Sequence, residues 1–144
     1  MPSPTTGVRR RAREVAFRIA YQADVTGDSF AAVWDARKDE ERLNDDQAEL
    51  VGDLVRALDT RVSEIDERIG QAAEHWPLER ISRTDRAVLR LAVAELLART
   101  GTPARVVLDE AVDIARRYGS DDSGRFVNGV LDRVARSVRS AELS

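Results

Sequence analysis

Four arginines crowd into five consecutive positions near the start of this chain: Arg9, Arg10, Arg11 and Arg13 surround Ala12. As a helix opening this is electrostatically awkward, because positive charge sits badly at the positive end of the helix dipole. An arrangement that costs local stability makes sense if an external anion compensates it. Phosphates supply one, and the planar guanidinium fork binds them in bidentate fashion and also stacks on bases. Arg10, Arg13, Phe17 and Tyr21 follow at steps of three and four, so basic and aromatic groups can share one helix face. The pattern points to RNA contact. The alternative is a basic tail or a solvated face with no ligand.

The charge balance supports an anionic partner. The whole chain carries 23 Lys+Arg against 26 Asp+Glu, a net charge of −3. Residues 1–22 hold five arginines and one glutamate, a charge of +4, so the remainder carries −7. A basic segment on an otherwise acidic chain reads as an arm for a negatively charged ligand. All basic residues except Lys38 are arginine.

Material for catalysis is scarce. A nucleophile–base arrangement needs a base, and the only histidine is His75, beside Trp76-Pro77 at a helix end. Cysteine is absent, which excludes disulfides, thiolate metal sites and cysteine nucleophiles, and suits a reducing cytoplasm. One histidine leaves no transition-metal set with workable spacing. Asp121-Asp122 lacks the alternation and closing glutamate of a calcium loop, and no glycine-rich phosphate loop occurs. The expectation is a non-enzyme with no catalytic residue, metal or cofactor. The opening Met1-Pro2-Ser3-Pro4-Thr5-Thr6 has no apolar run ahead of the arginines, so neither a signal peptide nor an anchor is expected. No stretch approaches the ~18 apolar residues of a membrane span. A cytoplasmic protein is expected.

The elements that must position these residues are helical. At 144 residues, 42% of them hydrophobic, the chain suits one domain, 1–144. Val8, Ala12, Val15, Ala16, Ile19, Ala20 and Ala23 make one apolar stripe, which predicts a helix over about 7–23. Ser29 is a cap for a short helix containing Phe30, Val33 and Trp34, and Asn44 a cap for the longest helix, about 45–73. There Val51, Val55, Leu58, Val62, Ile65, Ile69 and Ala72 alternate steps of four and three, a bundle-like seam. Trp76-Pro77 breaks the pattern and marks a boundary between subdomains at about 1–76 and 77–144. After a short turn, Thr84 caps a helix to about Arg99 that is apolar nearly all round, hence central. Thr102-Pro103 opens a helix to Tyr118, with proline at its first position, and Ser120-Asp121-Asp122 opens the last. Gly129 in that helix is expected to permit close helix approach, and Asn128 to cap a buried backbone group. The fold class is all-α, about seven helices.

Several motifs go further. Asp85-Arg86-Ala87-Val88-Leu89-Arg90-Leu91-Ala92, Glu95-Leu96, Thr102-Pro103, Asp109-Glu110-Ala111-Val112 and Phe126-Val127-Asn128-Gly129-Val130-Leu131-Asp132 follow one another as in NusB proteins, which the chain resembles over essentially its whole length. Departures are Ala94 where the family usually has an aromatic, Leu108-Asp109 for the common Ile-Asn, and arginine for lysine throughout. The resemblance implies two perpendicular three-helix bundles and a transcription antitermination factor. Such a factor pairs with NusE, a small-subunit ribosomal protein, on boxA-type RNA and joins the RNA polymerase antitermination complex, notably on ribosomal RNA operons. It also implies an RNA surface that adds Asp122 and Phe126 to the arginines. Phe126 is either a stacking platform or a core residue. Tyr21, Glu79 and Asp85 match positions facing NusE, against ordinary surface or capping roles. Two further readings remain. One is an interaction bundle, including a homodimer that buries the basic helix; the other is the related RNA-binding domain of RNA cytosine methyltransferases.

Overall fold

The computed structural model describes residues 4–74 and 76–143, with side chains from Gly7 onward. His75 and the opening residues Met1 to Ser3 lie outside the described residues. The chain begins with α1, Pro4–Thr26, longer at both ends than its apolar stripe. Ala12, Val15, Ala16, Ile19, Ala20 and Ala23 are buried as expected, whereas Val8 is exposed.

α2 spans Phe30–Glu41. Its first three amides each find one side-chain acceptor. The Ser29 hydroxyl accepts from Ala32 N at 3.1 Å, and Asp59 accepts from Phe30 N and Ala31 N at 3.0 and 2.8 Å. α3, Asp45–Thr60, starts on a capping box in which Asn44 and Gln47 bond each other's backbone.

The seam read as one long helix is two. α3 stops at Thr60 and α4 runs Val62–Ala72, with Arg61 between them at φ −125°, ψ 20°. The Thr60 hydroxyl donates to the Arg56 carbonyl at 2.8 Å, a back-bond that bends helices. The apolar period survives the break because Val55, Leu58, Ile65 and Ile69 all enter the same core.

A single 3-10 turn, Leu78–Arg80, leads to α5, Arg83–Ala98. Its cap is Ser82, whose side chain accepts from Asp85 N at 3.1 Å, not Thr84. α5 is the central element: the run from Ala87 to Leu96 is buried except for the partly exposed Arg90, and it packs on α1, α3, α4 and the two helices that follow. These are α6, Ala104–Tyr118, and α7, Ser123–Val138, followed by the short α8, Ser140–Leu143. Pro103 sits one residue ahead of α6 rather than at its first position. The result is all-helical, with α1, α2 and α3 on one side of α5 and α4, α6 and α7 on the other.

Two expectations about α7 fail. A Cβ at Gly129 would meet nothing within 4 Å, and Asn128 is exposed. The close approaches are at Gly124, where a Cβ would stand 2.9 Å from Arg116 Cγ, and at Gly119, where it would lie 2.8 Å from the Ala115 carbonyl. The carbonyl end of α5 is closed by Arg139, 8% exposed, which donates to the carbonyls of Leu96, Arg99 and Thr102. Among the described residues, no helix is long and apolar enough to cross a membrane.

Candidate nucleic-acid interface

α1 carries the site, and its arginines divide by depth. Three residues past Arg10, the helix turns Arg13 inward, where it is 3% exposed. Its Nε and Nη2 donate to the two carboxylate oxygens of Glu95 at 2.9 and 2.8 Å. Glu95 is itself only 1% exposed, an acid set in the buried run Leu91 to Leu96 of α5. Burial alone pulls the Arg13 pKa down, but the hydrogen bonds and charge of Glu95, with Glu110 behind them, hold it above its ordinary value. Arg13 therefore joins α1 to α5 and does not reach a ligand, which corrects the expectation that all four arginines face RNA.

Arg10 sits at the border. Its Nε donates to Glu110 at 3.1 Å and its Nη2 to Asp113 at 3.3 Å, while 40% of the side chain stays exposed. The Glu110 hydrogen bond, then its charge, raise the Arg10 pKa. Arg11 is the outermost: half its side chain is exposed, and its Nη2 donates to the Glu41 carbonyl at 2.6 Å. Arg9 is a third exposed and lies 4.0 Å from Asp46. The arm thus offers three cations at the surface, each held on one side by an acidic neighbour.

Further along the same helix the chemistry becomes aromatic. Phe17 stacks on Tyr118 of α6, ring centres 5.0 Å apart, and leans on Tyr21 at 6.4 Å. Arg18 Nη2 donates to the Tyr118 hydroxyl at 3.3 Å. Two cavities of about 490 and 640 Å³ meet here, sharing Thr84 and Tyr118. The smaller holds Phe17, Arg18 and Tyr21; the larger holds Trp76, Asp85, Asp122 and Phe126. Five of the seven aromatic residues line this one trough. Exposed aromatic faces beside arginine suit unstacked bases, since every base has a π-face. At 1.5 Å rise per residue, Arg10 and Arg18 are about 12 Å apart along α1, so the arm lies about two helical turns from the trough.

The structure brings Tyr21, Asp85, Asp122 and Phe126 to that trough. Phe126 is half-buried, packed on the core by one side and open to the cavity by the other. Asp122 makes no capping bond; Ser123 accepts from Ser120 N instead. One Asp85 carboxylate oxygen is buried without a partner among the described residues. Glu79 is exposed on the 3-10 turn and does not line the trough. Sequence reasoning missed Arg18, Trp76 and Tyr118. Tyr118, directly before the helix-stopping Gly119, carried no periodic signal.

The sequence profile of the NusB family matches residues 10–136. The chain belongs to the NusB family. Transcription antitermination protein NusB of Anaeromyxobacter dehalogenans is 43% identical over 140 residues, covering 94% of this chain and 96% of that protein. The same protein of Koribacter versatilis is 41% identical over 137 residues, 92% of each. The fold is similar to that of T. maritima NusB, TM-score 0.83 at 37% identity, covering 94% of this chain and 93% of that one. It is also similar, TM-score 0.81 at 28% identity over 90% of this chain and 97% of the other, to a chain from the crystal structure of antitermination factors NusB and NusE in complex with double-stranded RNA. The whole trough lies inside the matched NusB region, and so does the arm apart from Arg9, one residue ahead of it.

Proposed function

We propose that this NusB-family chain is a transcription antitermination factor that binds boxA-type single-stranded RNA together with NusE and joins the RNA polymerase antitermination complex, ribosomal RNA operons foremost. The observation that carries the reading is the set of surface arginines on α1 beside a trough into which Tyr21, Trp76, Tyr118 and the half-buried Phe126 open. Arg9, Arg10 and Arg11 take phosphates, and Phe126 stacks a base. Asp122, at the trough's margin, repels phosphate and limits affinity. Tyr21, Glu79 and Asp85 meet NusE. The protein acts by binding alone, in the cytoplasm, without catalysis.

Three partly neutralised arginines give few phosphate contacts, so RNA binding is weak until a second protein extends the surface. The test is transcription in vitro through a terminator placed downstream of boxA, with purified RNA polymerase and NusE. Read-through should rise when this protein is added and fall back when boxA is scrambled. No read-through, or read-through indifferent to boxA, refutes the proposal.

A further inference from the structure

Glu110 is a buried acid that the RNA reading leaves unexplained. Its side chain is 5% exposed on α6, yet it faces a guanidinium on α1 that is 40% exposed. A carboxylate taken out of water needs a well-aligned cationic partner, and that of Glu95, Arg13, is as deeply buried as the acid itself. Glu110 instead grips Arg10 from beneath: Oε2 accepts from Nε at 3.1 Å and Oε1 from Nη2 at 3.4 Å. Both bonds fall on one edge of the guanidinium plane. Asp113, 45% exposed, takes Nη2 from the solvent side at 3.3 Å. The other charges nearby are Arg13, paired with Glu95, and Glu14, paired with Arg117.

We propose that Glu110 is a positioning residue for RNA binding: it fixes the plane of the Arg10 fork so that the remaining edge meets a phosphate already oriented. The inference rests on the reading of the arm as an RNA surface. Arginine is suited to such a role because one edge of its fork can be held while another binds. Pre-ordering a long side chain removes entropy that binding would otherwise cost. Asp113 holds the fork by a single bond at Nη2, against the two from Glu110, and yields when phosphate arrives.

Positioning and bulk charge predict opposite signs. Glu110→Gln removes a negative charge beside the RNA, which by field alone tightens binding. Its amide, however, accepts only one of the two bonds and sets an NH2 against the other arginine nitrogen. The assay is fluorescence anisotropy with a labelled boxA-type oligoribonucleotide and purified NusE. Glu110→Gln should weaken binding about fivefold or more, the order of one misaligned charged hydrogen bond. In an Arg10→Ala background the same change should have no effect. Affinity that is unchanged or tighter in the single variant, or a loss that persists without Arg10, overturns the proposal.

Arg10→Lys tests it without touching the buried acid, so folding of the glutamine variant is not required. It keeps the charge but cannot be held at Nε and Nη2 together. It should lose nearly as much affinity as Arg10→Ala; wild-type affinity in Arg10→Lys means that charge alone matters and overturns positioning. If Arg10→Ala itself binds RNA like wild type, the arm is not the RNA surface, a distinct failure.

Discussion

Truncating Arg13 to alanine strands a carboxylate in the core. Glu95 has a side chain 2% exposed, and both of its oxygens rely on Arg13. Removing one partner of a buried pair costs about 3–5 kcal/mol, because the survivor stays charged and unsolvated. Against a total stability of about 5–15 kcal/mol, that is at least about a fifth. At roughly 2–4 °C per kcal/mol for a domain near this size, the melting midpoint should drop by about 6–20 °C. Replacing both partners with apolar residues, Arg13→Met with Glu95→Leu, should be neutral or stabilising by about 1–4 kcal/mol. Guanidinium melts followed by circular dichroism, with linear extrapolation to water, measure both. RNA affinity, taken where Arg13→Ala is still folded, should stay within about twofold of wild type, since Arg13 offers nothing to solvent. A stability loss below ~1 kcal/mol would show that the pair is not buried. A large loss of RNA binding in folded Arg13→Ala would return Arg13 to the RNA surface.

Leu89→Ala, at a fully buried position of the central helix, should cost about 2–5 kcal/mol in the same melts. Gly129→Ala should stabilise by about 0.5–1 kcal/mol, because a Cβ there meets open space within a helix; a loss would mean that another surface packs on α7. Glu64 has its pKa held below the ordinary 4.5, first by the Arg61 hydrogen bond and also by Arg68. A depressed carboxylate stabilises above its unfolded value and loses that as pH falls through the folded one. The small difference between wild type and Glu64→Gln should therefore persist from pH 7 down to about 4.5 and vanish only below.

The helices were legible where local chemistry marks them. Ser29 and the Asn44–Gln47 box start α2 and α3 as their residue types require. The α3–α4 break was not, because both helices present their apolar side to one core and the seam runs through Arg61 without a phase change. In the site, the arginine cluster was visible as charge, but its depth was not. The clue lay elsewhere in the chain: Glu95 between Leu91-Ala92-Val93-Ala94 and Leu96-Leu97, and Glu110 beside Ala111, are acids on buried helix faces, and such acids need cationic partners. Pairing them with Arg13 and Arg10 requires knowing that α1 crosses α5 and α6. The trough was illegible for the same reason, since Phe17, Trp76 and Phe126 are far apart in sequence.

In the proposed function, α1 and its trough bind RNA jointly with NusE. The most direct measurement is the affinity for labelled boxA-type RNA, and for a scrambled control, with and without purified NusE at fixed salt. Binding should be weak for the protein alone, markedly tighter with NusE, and stronger for boxA than for the scrambled strand in the joint complex. If NusE neither binds the protein nor raises RNA affinity, the protein is not an antitermination factor of this kind, and a protein-interaction bundle becomes the better description.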